Sequence, residues 1–582
     1  MSPIHITRWH KRASDKLLVR RRAHGRRTLY RRLACPLALA MCAASITCAA
    51  CTGRYPWQRN RAQVWRVWEL AFTAEATYSS PVGDVQLEAI FTGPDGSQFT
   101  VPGFWDGGKT WRVRFSPTLE GKWSYVTRCS NSADGGLHDQ QGSFRADAAS
   151  GENPLYLHGG LLRVSENNRH LTYTDGTPFF WVGDTWWFCP SEKIPFEGSS
   201  NPAYESAFKT MVDTRVQQGY TIAHWAFQGP VFDADKGKAN FVGLAQQGMI
   251  DASYWQQVDP YFDYANEAGL IPIIGLVFHS GGDTLTLEQW EFLWRYVVAR
   301  YGAHAVTWLI SGEYNHSLGD PETRIPKMLA LGQYIKDLDP YHRAMTVHPG
   351  PTSLDRRQAW DQPWYDFIMF QSGHVSYPDA DFYYKVYNQA TPKPMVEGEC
   401  NYEGIHKLTD NEVRWSAYRA IQAGCFGYTY GAQGLWYPTQ SMQDSTFDEW
   451  GDRTTWWESL QRPGGAQMGY LRDLYESVEW WKLEPQPGAV RIFSYSNFML
   501  NPLTKADVGN TYVVYFGRGL PADLNAYLRV PDAAPYQASW FNPRTGETTA
   551  LDGQFAGQDG EVMLPDRPDT EDWVLVLKRA KS

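Results

Sequence analysis

Apolar runs of strand length alternate with helical patterns through the middle of the chain, from about residue 155 to 480. The helical patterns end at glycines, as at Gly219, Gly269 and Gly302. The eight strand-like runs are Phe179–Trp187, Tyr220–Gly229, Ile271–Ser280, Val306–Asn315, Ala344–Gly350, Phe367–His374, Lys393–Gly404 and Cys425–Trp436. Strands that alternate with helices are typical of parallel βα units, and eight such units predict an α/β fold, the (β/α)8 TIM barrel.

Short alternating runs without a helical period lie on both sides of this region. Turn sequences such as Gly93-Pro94-Asp95-Gly96 separate the runs before the barrel, and Asn542-Pro543-Arg544-Thr545-Gly546 lies among the runs after it. This spacing predicts a small β-sandwich on each side. We therefore divide the chain into a targeting segment at 1–51, an N-terminal sandwich at 60–150, the barrel at 155–480 and a C-terminal sandwich at 490–582.

The N-terminal segment has the pattern of an export signal. Residues 1–32 carry eleven Lys or Arg and one acid, Asp15, and an apolar stretch follows from Leu33 to Cys51. Arg26-Arg27-Thr28-Leu29 is a weak twin-arginine pattern, and Cys51 offers a site for a lipid anchor. A retained anchor is the alternative, since about 19 mostly apolar residues just span a bilayer. The pattern predicts a secreted, periplasmic or cell-surface protein.

Composition narrows the classes of partner. Loss of residues 1–32 removes ten net positive charges and changes the formal net charge from −9 to −19, which disfavours binding to nucleic acid. Aromatic residues make up 15% of the chain, which suits sugar stacking but also large β-rich cores. The four cysteines beyond the signal show no metal-binding spacing, so free thiols and one disulfide both stay open. No cofactor is indicated, and the oligomeric state is left open.

Acidic residues end three of the predicted barrel strands, where TIM-barrel enzymes carry their catalytic groups. They are Asp184 on the first strand, Glu313 on the fourth, and Glu397 or Glu399 on the seventh. Regular alternation puts Glu397 and Glu399 on the same strand face, so they compete for one role. Glycosidic cleavage needs an acid to protonate the leaving oxygen and a second carboxylate as nucleophile or base. The fourth and seventh strands face each other, which favours Glu313 with Glu399. A surface or helix-capping acid is the plainer interpretation of Glu313.

Polar and aromatic residues end the other strands, as sugar hydroxyls and stacking faces require. Any one histidine among them is more often a packed core residue than a contact. The predicted substrate contacts are Asp184, Trp187, His224, Trp225, His279, Asn315, His348, Gln371, Tyr402, Tyr430 and Gln433.

Two other classes of protein stay open. One is a non-catalytic protein that binds carbohydrate or matrix. The other is a metal-dependent barrel hydrolase, which usually needs an HxH pair on the first strand. The first strand here offers Gly183-Asp184-Thr185 instead, so no metal ligands are assigned.

Four motifs carry a resemblance to a known family: GDTWW on the first strand, WLISGEYN on the fourth, KPMVEGECNYEG on the seventh and GCFGYTYGAQGLW on the eighth. They resemble the apiosidase-like glycoside hydrolases, TIM-barrel enzymes that act on plant and bacterial polysaccharides. The segment before the barrel resembles the immunoglobulin-like domain that often precedes it, and the tail resembles a collagen-binding-type β-sandwich.

The resemblance implies a retaining mechanism with specific roles for two residues. The catalytic Glu of the family falls on Glu399, as nucleophile, and its fourth-strand acid falls on Glu313, as general acid and base. That acid is typically an Asp after two glycines, whereas this chain has Glu313 after Ser311-Gly312. Since Glu reaches one methylene further, specificity for apiose does not carry over.

Overall fold

The computed structural model describes residues 60–227, 241–276, 278, 283–317, 319–351, 358–374, 380–493, 501–523 and 525–581. The predicted targeting segment at 1–51 lies outside these residues, and so does the predicted substrate contact His279.

Eight parallel strands form one sheet that curves into a TIM barrel, as predicted. Counted along the chain, they lie in the spatial order 5-4-3-2-1-8-7-6. Between the fifth and sixth strands, Asp366 N donates to Met345 O at 3.1 Å and Thr346 Oγ1 to Phe367 O at 2.8 Å. The strands are Trp181–Trp186, Ile222–Trp225, Ile271–Gly275, Thr307–Leu309, Met345–Thr346, Ile368–Gln371, Met395–Glu399 and Gly427–Tyr430. Each is shorter than its apolar run because the run continues into the loop at the barrel mouth, the end where the strands' carboxyl ends lie.

Helices cover the outside of the barrel, and local sequence explains their limits. Capping boxes are found, for example, at Thr286 and Thr409, where two of the helices begin. Gly219 and Gly269 take a left-handed conformation just beyond the ends of two helices. The helices of this region are Ala207–Gln217, Phe241–Gln246, Ala252–Glu267, Leu287–Tyr301, Pro321–Leu338, Ala380–Tyr387, Asp410–Gln422, Trp456–Ser459 and Pro463–Glu476, with a 3₁₀ turn at Trp480–Lys482.

A β-sandwich precedes the barrel. Its aromatic core includes Trp68 stacked on Phe144, with ring centroids 3.8 Å apart, and Phe91 stacked on Phe115 at 4.1 Å. One sheet has the order Arg61–Gln63, Gln141–Asp147, Gly121–Cys129, Leu87–Thr92, Gln98–Pro102, and the other has the order Trp68–Thr73, Thr110–Phe115, Phe104–Trp105. Short elements lie within this sandwich and between it and the first barrel strand. They are the helices Pro81–Asp84 and Pro154–Leu157 and the strands Arg163–Val164, Leu171–Thr172 and Pro178–Phe179.

A second set of sheets follows the barrel. The larger sheet has the order Glu484–Pro485, Leu503–Asp507, Thr511–Phe516, Trp573–Arg579, Pro535–Phe541, Thr548–Ala550, with Phe555–Ala556 also paired to Pro535–Phe541. The smaller sheet has the order Val490–Ile492, Ala526–Arg529, Glu561–Met563. The predicted all-β character of both flanking regions is therefore confirmed.

Buried ion pairs join both flanking domains to the barrel. Asp259, on a barrel helix, lies between Arg114 of the first sandwich at 2.7 Å and Arg300 of the next barrel helix at 2.8 Å. Arg414 of the barrel contacts Asp572 of the last domain at 2.8 Å. Because these charges are buried, loss of either partner would leave an uncompensated charge and weaken the contact between the domains.

Two further features bear on the predictions. The four cysteines Cys129, Cys189, Cys400 and Cys425 are buried free thiols, which decides the question left open above. Among the described helices, none is long and apolar enough to cross a lipid bilayer.

Candidate active site

Glu313 begins the loop after the fourth strand, in a backbone conformation that side-chain-bearing residues seldom adopt. Its φ of 46° lies in the left-handed region. The preceding Gly312 pairs with Phe278, and a Cβ at position 312 would lie 2.2 Å from the Phe278 ring. Glycine is therefore required there for the close approach of the two segments, and the strained residue that follows is an acid.

Buried polar contacts hold this loop in place. Arg324 donates from Nε to Tyr314 O at 2.8 Å and from Nη2 to His316 O at 2.6 Å. Asn315 Oδ1 accepts from Gly350 N at 2.8 Å, which ties the fourth-strand loop to the fifth. Asn315 is fully buried, so the structure gives this predicted substrate contact a role within the protein.

Gln371, at the end of the sixth strand, contacts the acid that follows the fourth strand. Its Nε2 donates to Glu313 Oε1 at 3.0 Å, and Gln371 lies opposite Glu399 in the pairing of the sixth and seventh strands. The partly exposed Glu313 therefore contacts the strand that pairs with Glu399, and a joint catalytic role of the two acids stays a prediction.

Glu399 lies between two histidines. His374 Nε2 is 3.1 Å from Oε1, and His348 Nε2 is 3.3 Å from Oε2, at ion-pair distance but without hydrogen-bond geometry. Glu399 is only 7% exposed. Burial alone would raise the pKa of this carboxyl, but the facing His348 and His374 outweigh burial and hold its pKa well below its usual range.

The other ring nitrogens of these histidines contact backbone carbonyls. Nδ1 of His374 lies 3.1 Å from Cys400 O, and Nδ1 of His348 lies 2.9 Å from Pro349 O. A carbonyl oxygen only accepts hydrogen bonds, so each Nδ1 carries a proton. The depressed pKa of Glu399 favours its ionised form, which a nucleophile needs.

Three rings, those of Trp187, Phe278 and Tyr402, form an aromatic wall beside the histidines that contact Glu399. Trp187 Nε1 donates to Tyr402 OH at 3.1 Å, and the Trp187 ring lies 5.2 Å from Phe278 and 5.3 Å from His348. The Tyr402 ring lies 4.4 Å from His374. The predicted residues Trp187, His348 and Tyr402 therefore lie together with Glu399.

His224 lies in the barrel interior below this wall, 5.5 Å from the Trp187 ring. It is fully buried, and burial, followed by the nearby His348, holds its pKa well below the usual value. Its Nε2 lies 3.3 Å from Thr429 Oγ1. His224 is therefore neutral and supports the wall from beneath.

Three predicted contacts lie on the helix-facing side of the sheet instead of at the mouth. Asp184 is buried in an ion pair with Arg215 at 2.7 Å. Trp225 packs on Phe208 and Phe262, and Tyr430 donates to Glu403 at 2.8 Å. Adjacent strand residues point in opposite directions, so His224 and Trp225 cannot both face the interior.

Gln433 lies in the loop after the eighth strand, and its amide is engaged within the protein. Its Nε2 donates to Phe447 O at 3.2 Å and its Oε1 accepts from Trp436 Nε1 at 2.9 Å. Phe278 and Ser372 are neighbours of the site that were not predicted. Both lie at the end of a predicted strand, but neither residue type suggests chemistry.

Glu397 does not share the face of Glu399, which corrects the expectation from regular alternation. The pairing of the sixth and seventh strands shifts between Phe370 and Gln371, so that Phe370 lies opposite Glu397 and Gln371 opposite Glu399. Glu397 is fully buried and contacts Tyr383 of the helix Ala380–Tyr387. Of the two competing carboxylates, only Glu399 contacts the histidines at the mouth.

In the described ranges, no group of three or more His, Cys, Asp or Glu side chains has an arrangement that could hold a metal ion.

A TIM barrel with acids at the ends of its fourth and seventh strands is an architecture of glycoside hydrolases. The sequence model described as "Apiosidase-like, catalytic domain" matches residues 165–482, more than half of the chain. The chain therefore belongs to the apiosidase-like family. Residues 61–130 match a domain of unknown function, and residues 502–578 match the "Putative collagen-binding domain of a collagenase".

Solved structures share this fold at low sequence identity. A "putative glycoside hydrolase" from Bacteroides vulgatus is 17% identical, with a TM-score of 0.66 over 90% of this chain and 100% of that one. A second structure, named only as a glycoside hydrolase, is 22% identical, with a TM-score of 0.60 over 74% and 99%. A glycoside hydrolase of family 5 from Bacteroides vulgatus is 20% identical, with a TM-score of 0.60 over 72% and 93%. A search of curated proteins gave no match.

Proposed function

We propose that the protein is an exported glycoside hydrolase that cleaves O-glycosidic bonds in plant or bacterial polysaccharides by a retaining mechanism. One observation carries the proposal: Glu399 is buried between His348 and His374 at the end of the seventh strand, with a depressed pKa. A desolvated carboxylate that stays ionised is suited to attack an anomeric carbon.

In the first step, a Glu399 oxygen forms an ester bond to the anomeric carbon while the bond from that carbon to the glycosidic oxygen breaks. Glu313 gives its proton to the departing oxygen. In the second step, water transfers a proton to Glu313 and attacks the anomeric carbon, which releases Glu399. The hydrogen bond from Gln371 orients Glu313 for both transfers.

The aromatic wall favours a carbohydrate substrate. Trp187 and Tyr402 lie beside Glu399 and its histidines, with the indole N–H of one donating to the phenol OH of the other. Aromatic rings of this kind pack on the apolar face of a sugar ring.

Export rests on the basic and apolar pattern of residues 1–51. Mass spectrometry of the protein recovered from culture medium or periplasm should find residues 1–32 absent. Recovery of the intact N-terminus from those fractions would contradict cleavage of an export signal.

The activity is tested by incubating the protein without residues 1–51 with a panel of plant and bacterial cell-wall glycans and analysing the released sugars. We expect sugar release from at least one glycan, and none from a Glu399→Gln control. A protein that retains glycans on an affinity gel but releases no sugar would be a carbohydrate-binding protein. Sugar release that a chelator abolishes would favour the metal-dependent alternative.

A further inference from the structure

Glu397 is a buried carboxylate with four donors around it and no access to the mouth. Its Oε1 accepts from Ser372 N at 3.2 Å and from Glu399 N at 3.3 Å. Its Oε2 accepts from Ser372 Oγ at 2.6 Å and from the hydroxyl of Tyr383. A carboxylate is the side chain that can accept all four of these bonds.

These contacts surround the point where the seventh strand departs from regular alternation. Between Glu397 and Glu399, the extra residue Gly398 has no counterpart on the sixth strand. A Cβ at position 398 would lie 2.5 Å from Met369 Cγ, so any larger residue there would have to displace Met369. The irregularity turns Glu399 to the face opposite that of Glu397.

Ser372 joins the two carboxylates across the strands. Its backbone N–H donates both to Glu399 O at 2.9 Å and to Glu397 Oε1 at 3.2 Å. His374 follows two residues later and donates from Nδ1 to Cys400 O at 3.1 Å. The end of the sixth strand is therefore fastened to the residues on both sides of Glu399.

We propose that Glu397 is a positioning residue: its carboxylate holds the strand irregularity that turns Glu399 toward His348 and His374. The inference rests on the proposed function of Glu399. It assigns to Glu397 no contact with substrate.

The four hydrogen bonds that Glu397 accepts suggest a conservative variant. Burial raises its pKa to about 7 although hydrogen bonds from Ser372 and Tyr383 lower it. In Glu397→Gln, the amide oxygen can still accept from Ser372 N and Glu399 N, while its NH₂ group faces hydroxyls that can turn to accept. Glu397→Met has a similar volume and accepts nothing, so it removes the side-chain acceptor of Glu399 N and leaves Ser372 N with Glu399 O.

The test compares these variants in the full chain by kinetics on a responsive glycan and by NMR of histidines labelled at Cε1. Glu397→Met should lower kcat by about 100-fold with little change in KM, since a displacement of about 1 Å costs that much. It should also shift the signals of His348 and His374, assigned from His→Asn variants. Glu397→Gln should restore most of kcat and the wild-type signals.

Glu403→Met is the matched control. Glu403 is a buried acid on the same segment that accepts from Tyr430 OH at 2.8 Å and Gly464 N at 3.0 Å, away from the strand irregularity. It should leave both histidine signals and kcat near their wild-type values. If Glu397→Met does not fold, Tyr383→Phe and Ser372→Ala weaken the same contacts and should shift the same signals.

The outcomes separate this inference from the proposed function. Unchanged histidine signals in folded Glu397→Met, or in both gentler variants, would overturn the positioning role. If Glu397→Met shifts the histidine signals but Glu399→Gln stays active, the positioning role would be supported and the assignment of Glu399 as nucleophile would be wrong. Equal effects of Glu397→Met and Glu403→Met would make Glu397 an ordinary structural residue.

Discussion

Asp259 and Glu399 are both buried carboxylates between two basic side chains, but they lie in different regions. Asp259 lies between Arg114 and Arg300, where the first sandwich meets the barrel helices. Glu399 lies at the mouth between His348 and His374. Arginine keeps its charge at any physiological pH, whereas imidazole gains and loses a proton there.

The comparison shows that burial and a depressed pKa do not by themselves identify a catalytic acid. In both carboxyls, basic neighbours outweigh burial and lower the pKa. What distinguishes Glu399 is its location at the end of a barrel strand beside Glu313 and an aromatic wall. We expect Asp259 to control stability and Glu399 to control turnover.

The largest effect is expected from Glu399→Gln. Loss of the nucleophile should reduce kcat by roughly 10⁴-fold or more on every substrate. Folding should be retained, since Gln keeps the shape of the side chain. Steady-state kinetics and thermal unfolding measure the two quantities, and a variant with near-normal kcat would show that another residue is the nucleophile.

Glu313→Gln should have a smaller effect that depends on the substrate. Loss of proton donation should lower kcat by about 10²–10⁴-fold on glycosides with poor leaving groups. Aryl glycosides that need no proton should be spared, and added azide should restore turnover. A uniform loss across leaving groups, with no effect of azide, would rule out the acid and base role.

Asp259→Asn should have the opposite effect from Glu399→Gln, lowering stability and leaving turnover nearly unchanged. Removing one partner from a buried ionic cluster leaves uncompensated charge and should lower the free energy of unfolding by about 3–5 kcal/mol. The kcat of the remaining folded enzyme should stay within about twofold of wild type. Asp259 pairs with Arg114 and Arg300 where the first sandwich meets the barrel helices, and substitutions at distant sites act independently. Urea unfolding gives the first value and active-site-normalised kinetics the second.

The control for Asp259→Asn is Asp147→Asn. Asp147 pairs with Arg61 at 3.0 Å at the surface, with side chains 42% and 71% exposed. Exposed pairs contribute about 0–1 kcal/mol. Equal destabilisation by both substitutions would refute the role assigned to the buried cluster.

The smallest effect concerns pH. The Asp259 pKa is lower in the folded protein than in the unfolded chain, so its stabilisation is present above an ordinary Asp pKa of about 4 and is lost as pH falls below it. The stability difference between wild type and Asp259→Asn should therefore shrink by up to about 1.4 kcal/mol per pH unit below pH 4. Denaturant unfolding between pH 6 and 3 measures it, and a difference independent of pH would contradict the argument.

The same comparison explains how far sequence alone could predict the molecule. The eight apolar runs reveal the barrel strands because each is long enough to cross a buried sheet. Both faces of such a strand are apolar, so the runs do not tell which residues face the interior. Asp184, Trp225 and Tyr430 were consequently assigned to the mouth although they face the helices.

The contacts around Glu399 were less accessible to sequence reasoning. Its location follows from the end of the seventh strand, but its distinction from Glu397 depends on Gly398 and on the absence of space beside Met369. Such close approaches arise between strands that are distant in sequence. The ionic network of Asp259 likewise joins residues more than a hundred positions apart, and no local pattern indicates it.

The central claim is that Glu399 is the nucleophile of a retaining glycoside hydrolase. The most direct measurement is to trap the covalent intermediate with an activated 2-fluoro glycoside of the sugar found in the glycan screen, followed by peptide mapping by mass spectrometry. We predict one added glycosyl group per protein, attached to Glu399. Attachment to Glu397 or Glu313, or the absence of any adduct together with product of inverted anomeric configuration, would contradict the account.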